Sequence, residues 1–156
     1  MELTITRIFD ARRDRVWKAW TNPEMFMKWW GPKYFSCPLA NLDLRIGGKY
    51  LVAMRGPDGK DFYSTGTYRE IVPLEKIAVT DSFADEKGNA VPASYYGMGE
   101  TFPRETKVTI TFEDHDGKTK MTLNYPTTEG IDITMLDNMK QGWNQSFDKL
   151  AESLKL

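Results

Sequence analysis

The sequence predicts an α+β fold in which one curved antiparallel β-sheet wraps around a long C-terminal helix. Two patterns predict it. Between Leu39 and Tyr125 apolar residues recur mostly at every second position, which is typical of half-buried strands. From Ile131 to Leu154 they recur at three- and four-residue spacing, as on one face of a helix. Since a sheet and a helix each bury one apolar face, the two are expected to pack on each other.

Length and composition are typical of one globular domain, which we expect to span residues 1–156. A chain of this size buries roughly 70% of its unfolded surface, so its core needs no disulfide or structural metal. The net charge is −1 and the basic residues are scattered, which argues against a nucleic-acid partner. Cys37 is the only cysteine, so no internal disulfide can form.

No apolar run approaches the roughly 20 residues that a membrane-spanning helix needs. The opening sequence, MELTITRIFDARRDR, lacks the apolar centre of a signal peptide. We therefore expect a cytoplasmic protein that does not insert into membranes.

The first strand is predicted to lead from Leu3 to Phe9. Asp10 is then expected to cap a helix, since Asp is a favoured N-cap residue. Its apolar face would carry Val16, Trp17 and Trp20. Together these patterns predict a strand followed directly by a short helix.

A second short helix is predicted from the sequence Asn22-Pro23-Glu24. Asn can cap it, Pro suits the first helical position, and Glu suits the positive end of the helix dipole. The helix is expected to end near Trp29, because Gly31-Pro32 cannot continue it.

The strands that follow are separated by turn sequences. Gly47-Gly48 predicts a bend, and GPDGKD at 56–61 has the composition of a hairpin turn. An Asp-Gly turn at 116–117 separates the last two strands. The predicted inward or strand positions are Leu42 and Leu44; Tyr50, Val52 and Met54; 62–72; 76–83; Val108, Ile110 and Phe112; and Met121, Leu123 and Tyr125.

The long helix is predicted over about Ile131 to Leu154, on the order of 35 Å in length. Its apolar stripe includes Met135, Met139 and Trp143. Gly142 in its middle lowers helix stability by roughly 1 kcal/mol relative to Ala, so we expect a strand or a ligand to approach there.

Large apolar side chains are concentrated in MFMKWW at 25–30, where the second helix ends. Adjacent helical residues point about 100° apart, so Trp29 and Trp30 are not expected to enter one core together. One of them is predicted to pack inward and the other to face a cavity mouth or solvent. Met54, Met98, Met135 and Met139 suit either an ordinary core or an adaptable binding surface.

The stretch 84–103 shows no clear period and is long for a loop of a compact domain. Its second half combines Tyr95, Tyr96, Met98 and Phe102 with two glycines. We interpret it as a lid over a cavity mouth, or alternatively as a loop that packs its own aromatic residues on the sheet edge.

The sequence offers few candidate residues for acid–base catalysis or metal binding. His115, the only histidine, lies in an expected exposed turn, and Cys37 has no histidine near it in sequence. One His and one Cys exclude a His/Cys-rich metal site. Asp81 is different, because it shares the apolar alternation of Ile77, Val79 and Phe83. If it faces inward it needs a partner, for which Arg69 or Arg104 is available.

Four stretches together resemble the AHSA family, the homologues of the C-terminal domain of the heat-shock-chaperone ATPase activator. They are RIFDARRDRVWKAWTNPEMFMKWWGP, DLRIGGKYLVAMRGPDGKDF, GTYREIVPLEKIAVTDSF and QGWNQSFDKLAESL. The resemblance covers essentially the whole chain. It implies the helix-grip fold of the START-like, birch-pollen-allergen-like (SRPBCC) superfamily, with a cavity between sheet and long helix.

We expect this cavity to bind a small hydrophobic or aromatic ligand, with no cofactor, no metal and no assigned catalytic residue. The alternatives are a protein-interaction module that binds a chaperone or another protein, and an enzyme similar to polyketide cyclases or hydrolases. The candidate ligand-binding residues are Trp29, Trp30, Tyr50, Met54, Tyr68, Asp81, Phe83, Tyr95, Met98, Met135, Met139 and Trp143.

Overall fold

A computed structural model describes residues 1–155 and confirms the α+β fold. The helices are α1 (Arg13–Thr21), α2 (Pro23–Phe26) and α3 (Ile133–Ser153). The strands are β1 (Leu3–Phe9), β2 (Ser36–Leu42), β3 (Lys49–Arg55), β4 (Asp61–Val72), β5 (Lys76–Ala84), β6 (Ala90–Val91), β7 (Thr106–His115) and β8 (Lys118–Tyr125).

The strands form one antiparallel sheet in the order β1-β8-β7-β5-β4-β3-β2, and β6 pairs with β5. α3 packs on this sheet, and the two short helices after β1 are those that the sequence predicts. Among residues 1–155, no helix is both long and apolar enough to cross a membrane.

The capping role expected of Asp10 is wrong. α1 begins at Arg13, and the residue at its N-cap position, Arg12, makes no side-chain cap. The chain between β1 and α1 is instead held against β8, because the Thr119 hydroxyl donates to the Ala11 carbonyl at 2.7 Å. This buried hydrogen bond fixes the bend at Asp10 and Ala11, so the helix starts only after the extended Arg12.

The predicted cap of α2 is confirmed, since the Asn22 side chain accepts a hydrogen bond from the Met25 amide at 3.1 Å. The helix itself ends at Phe26, three residues before the predicted end near Trp29. Turn hydrogen bonds from the Trp29 and Trp30 amides to the Phe26 carbonyl carry the chain onward.

The other helix and strand boundaries differ from the predicted ones by a few residues. α3 begins at Ile133, because the Asp132 side chain caps it by accepting from the Met135 amide at 2.8 Å. β2 ends at Leu42, so Leu44 lies beyond the strand and is exposed. The stretch 84–103, interpreted as a loop, contains β6 and a 3₁₀ turn at Ala93–Tyr96.

The two halves of α3 have different surroundings. Phe147, Leu150 and Leu154 in its C-terminal half are buried in the core. Met135, Met139 and Trp143 in its N-terminal half are only partly buried. The core is therefore closed under one half of the helix and open under the other.

The sheet also changes at this open end. β5 pairs with β7 only as far as Asp81 opposite Thr106. Beyond that point Phe83 and Ala84 pair with β6 instead. The strands thus separate next to Asp81, below the N-terminal half of α3.

Candidate functional site

A pocket of about 440 Å³, here called the outer pocket, lies where β5 and β7 separate and α3 is only partly buried. Most of its wall is apolar or aromatic. Its lining residues are Trp30, Gly31, Pro32, Met54, Ser64, Asp81, Ser82, Phe83, Met98, Phe102, Thr106, Tyr125, Met135, Asn138, Met139, Gly142, Trp143 and Ser146.

A second, smaller space of about 50 Å³, the inner cavity, lies deeper between the sheet and the aromatic cluster of α1 and α2. Its lining residues are Trp20, Phe26, Trp30, Leu42, Tyr50, Tyr68, Ile77, Val79, Asp81, Val108, Ile110 and Trp143. Trp30, Asp81 and Trp143 line both spaces, so we call these three residues the neck.

The two adjacent tryptophans divide as predicted, although they lie in the turn after α2 and not in the helix itself. Trp29 is 0% exposed, and its indole N–H donates to the Ala19 carbonyl at 2.9 Å. Trp30 is partly buried, stacks on Phe26 with ring centroids 4.7 Å apart, and borders both spaces. Trp29 therefore packs in the core, whereas Trp30 forms part of the pocket wall.

Asp81 lies on the inner face of β5, and its partner is a phenol rather than an arginine. The Tyr50 hydroxyl from β3 lies 2.5 Å from Asp81 Oδ1 and 2.9 Å from the Thr80 carbonyl oxygen. Desolvation by burial raises the Asp81 pKa from 3.8 to about 6, against the opposite effect of the Tyr50 hydrogen bond. A carboxyl group that titrates near neutral pH thus stands in the wall of an apolar pocket.

The hydrogen bonds around Tyr50 suit both states of Asp81. When Asp81 is ionised, the single Tyr50 proton is donated to the carboxylate. When Asp81 is neutral, its own proton can be donated to the Tyr50 oxygen while Tyr50 donates to the Thr80 carbonyl. The group can therefore gain or lose a proton without a change in side-chain positions.

A glycine makes this contact possible. A Cβ atom at Gly66 of β4 would lie 1.8 Å from the Thr80 carbonyl oxygen and 2.6 Å from the Tyr50 hydroxyl. Both distances are far below van der Waals contact, so only glycine leaves room for this hydroxyl. Gly66 thereby positions the partner of Asp81.

Asp81 should make stability depend on pH. Its pKa is raised on folding, so the folded chain binds its proton more tightly, and ionisation opposes folding as the pH rises from about 4 to about 6. A shift of this size corresponds to on the order of 2–3 kcal/mol. We expect Asp81→Asn to remove this loss, so the difference in unfolding free energy between variant and wild type should grow over that range.

Urea denaturation of both proteins at pH 4 to 7.5 measures this difference, in which the other titrating groups cancel. A difference that stays constant with pH would contradict the raised pKa of Asp81.

Tyr125 of β8 is a second phenol in the outer pocket. Its hydroxyl oxygen accepts a hydrogen bond from the Trp143 indole N–H at 3.0 Å. Burial raises its pKa further above the ordinary phenol value, so it stays protonated. The bond connects α3 to the sheet at the neck and fixes the orientation of Trp143.

The segment after β6 forms part of the pocket wall, and the side chain of Tyr96 attaches it to the sheet. The Tyr96 hydroxyl hydrogen bonds to the Ala84 carbonyl, and it accepts from the Tyr63 amide at 3.1 Å. Met98 and Phe102, which follow, reach the outer pocket. Tyr95 points away, is 59% exposed and packs edge-on against Tyr96.

Ten of the twelve candidate residues line one of the two spaces, and Trp29 and Tyr95 do not. The sequence reasoning missed several polar wall residues, for which no pattern in the chain gave a signal. These are Ser64, Ser82, Thr106, Asn138 and Ser146. Tyr125 was predicted on an inward strand face and could have been selected from that.

Gly142 lines the outer pocket, and no strand approaches it among the described residues, so that part of the expectation is wrong; the approach of a ligand stays a prediction. A Cβ atom at this position would meet only Pro32, at 3.9 Å, which is ordinary contact. The glycine leaves open space in the pocket wall rather than room for a strand.

The other reactive side chains lie apart from the pocket. Cys37 is buried, and burial raises the pKa of its thiol to about 11, so it is a poor nucleophile. His115 is exposed at the end of β7. Within residues 1–155, no three His, Cys, Asp or Glu side chains converge as metal ligands would.

Comparison with known proteins places this geometry in a wider group. The sequence profile of a family described as activator of Hsp90 ATPase homolog 1-like protein matches residues 10–155. No protein with a curated description matches the chain.

Solved structures share the fold over nearly the whole chain. A protein from Chromobacterium violaceum is 27% identical, with a TM-score of 0.79 over 99% of this chain and 97% of that one. A protein from Mycobacterium smegmatis is 26% identical, with a TM-score of 0.74 over 98% and 87%. The AHSA1 protein from Silicibacter pomeroyi is 21% identical, with a TM-score of 0.77 over 99% and 97%.

Proposed function

The chain belongs to the family of activator of Hsp90 ATPase homolog 1-like proteins, and we propose that this member binds a small hydrophobic or aromatic molecule in its outer pocket without transforming it. One observation carries the proposal: the pocket of about 440 Å³ under the partly buried half of α3. Its size, its apolar wall and its few inward polar groups are typical of small-molecule sites.

The wall suits an aromatic or aliphatic guest in particular. Phe83 and Phe102 pack at 5.8 Å between ring centroids on one side. Met135 and Met139 lie one turn apart on α3 on the other. Aromatic faces contribute large contact areas, and methionine side chains adapt to the shape of a ligand.

The enzyme alternative receives partial support. A cyclase or hydrolase needs an inward acid or base pair, and Asp81 supplies an inward carboxyl with a raised pKa. Among the described residues that line the two spaces, however, no second carboxylate, histidine or lysine stands beside it. Binding is therefore favoured over chemistry. The protein-interaction alternative stays a prediction, as do the cytoplasmic location and the absence of a cofactor.

Native mass spectrometry of protein purified from its own source, without heating or organic solvent, tests the proposal. We expect a mass excess on the order of a few hundred daltons that is lost on denaturation. The Gly142→Met variant should reduce this excess, because a flexible side chain would extend from open wall space into the pocket.

Gly142→Ala is the matched control. It adds one methyl group at ordinary contact distance, should retain the bound molecule, and should stabilise α3 by roughly 1 kcal/mol. A bare polypeptide mass in the wild type, or equal occupancy in wild type and Gly142→Met, would argue against binding in the outer pocket.

A further inference from the structure

We propose that the ligand of this pocket is a hydrophobic amine, whose ammonium group binds at the neck between the Asp81 carboxylate and the rings of Trp30 and Trp143. The inference rests on the proposed function, because it names the chemical class that the same pocket selects.

The walls of the two spaces carry a single charged group among residues 1–155. Asp81 is the one side chain with a formal charge near neutral pH among the described residues that line the outer pocket or the inner cavity. It takes part in none of the ion pairs formed within residues 1–155. Asp81 is partly buried in a mostly apolar wall, where a carboxylate without a cation is unfavourable, and a ligand cation would supply the opposite charge.

One carboxylate oxygen of Asp81 is available to accept a hydrogen bond from a ligand. Tyr50 occupies Oδ1 of Asp81, whereas Oδ2 makes no hydrogen bond within the described part of the chain. Oδ2 accepts hydrogen bonds when the carboxyl is ionised. It also accepts them when the carboxyl is neutral and the proton lies on Oδ1. The ligand group at this point should therefore be a donor, and an ammonium group offers both donors and charge.

Two tryptophan rings border the neck together with the carboxylate. The rings of Trp30 and Trp143 meet almost at right angles, at 81°, with centroids 5.3 Å apart. Both line the neck together with Asp81. The faces of tryptophan rings attract cations through their quadrupole, so a ring corner next to a carboxylate favours an organic cation over a neutral group.

The dimensions of the two spaces set the orientation of the ligand. The inner cavity of about 50 Å³ has room for little more than a small head group or ordered water. The outer pocket of about 440 Å³, with Met54, Phe83, Met98, Phe102, Met135 and Met139 in its wall, has room for the apolar body. The ammonium group would thus point inward and the hydrophobic body toward α3.

Asp81 is the group that would control this binding as the pH changes. The titratable side chains that line these two spaces with Asp81 are Tyr50 from β3, Tyr68 from β4 and Tyr125 from β8, and burial raises the pKa of all three phenols. β4, β7 and α3 present the uncharged Gly66, Thr106 and Trp143 around it. Between pH 5 and 8, only Asp81 among these groups should change its charge.

Three probes with one ring system test the inference. They are the amine 2-(2-naphthyl)ethylamine, the alcohol 2-(2-naphthyl)ethanol and the carboxylate anion of 2-naphthaleneacetic acid. Titration calorimetry at pH 7.5 should show the amine binding about tenfold or more tightly than the alcohol, and the carboxylate binding more weakly than the alcohol. Lowering the pH to 5 should weaken binding of the amine by about tenfold and leave the alcohol unchanged, because Asp81 becomes neutral.

Asp81→Asn should remove the preference for the amine and retain the affinity for the alcohol. Asp137→Asn is the matched control. It also removes one negative charge, but from an exposed position of α3, the helix that borders the pocket. It should leave the preference for the amine intact, which separates a contact at the neck from general electrostatic attraction.

The outcomes separate the inference from the proposed function. Equal affinity for amine and alcohol, tightest binding of the carboxylate, or a preference for the amine that survives in Asp81→Asn would overturn the amine inference while pocket binding stands. If none of the three probes binds the wild type, or if Gly142→Met binds them all as tightly as the wild type, the proposed function and the inference fail together.

Discussion

Replacing Trp29 with alanine is expected to lower the free energy of unfolding by about 3–5 kcal/mol. The indole is 0% exposed and packs against Trp20, Phe26 and Phe147 at centroid distances of 4.7, 5.3 and 6.2 Å. Its N–H also satisfies the Ala19 carbonyl. The variant would leave a large cavity in the core and break a buried hydrogen bond, which urea denaturation would measure as a lower midpoint with an unchanged slope.

Trp30→Ala is the informative neighbour of this variant. Trp30 is only partly buried and already borders open space, so its removal enlarges the pocket rather than creating a closed cavity. We expect less than half the loss of stability of Trp29→Ala, together with a clear loss of ligand affinity. Equal losses of stability in the two variants would show that Trp30 also belongs to the core, and would weaken the assignment of the neck.

Gly66→Ala is expected to have an effect of similar size through the backbone. The added methyl group would lie 1.8 Å from the Thr80 carbonyl oxygen, so β4 and β5 must move apart beside Asp81. Overpacking of this kind typically costs 1–3 kcal/mol, and here a backbone atom must also move, so we expect about 3 kcal/mol or more. Denaturation measures the loss, provided that the variant is obtained in soluble form.

Two further variants make the result specific. Gly99→Ala should change stability little, because a Cβ atom there has no neighbour within 4 Å among the described residues. Tyr50→Phe combined with Gly66→Ala should recover only part of the loss, since it removes the hydroxyl contact but leaves the clash with the Thr80 carbonyl. Full recovery of stability in the double variant would show that only the Tyr50 hydroxyl excludes a side chain at position 66. A Gly66→Ala variant as stable as the wild type would contradict the close approach of β4 and β5.

Several features of the fold followed from the sequence because they depend on neighbouring residues. The Asn22-Pro23 start of α2 is a local motif, and the structure contains it. The three- to four-residue spacing in the last segment predicted α3 to within a few residues at each end. The expected Asp10 cap is wrong, because a tertiary hydrogen bond from Thr119 holds the Ala11 carbonyl against β8 and the helix starts only at Arg13.

The candidate site could be predicted only in part from the sequence. The alternation of Ile77, Val79, Asp81 and Phe83 made Asp81 a candidate for the inner face of a strand, and the structure places it there. Nothing in the sequence identified Tyr50 as its partner, because the two residues lie 31 positions apart and meet only across β4. The same is true of Ser64 and Thr106, which are ordinary polar strand residues until the sheet separates around them.

Local patterns in the sequence were enough to predict the order of the helices and main strands and the apolar face of α3, since each of these rests on a period of two or 3.6 residues. They left open whether Asp81 faces inward, and they did not predict β6. The tertiary structure alone decided that the core closes under Phe147 and Leu150 but stays open under Met135 and Met139. That outcome depends on where β5 stops pairing with β7, at Asp81 and Thr106. A local period records which side of a strand faces inward, whereas an open pocket depends on how far apart two packed layers lie, and that distance is set by contacts between residues that are distant in the chain.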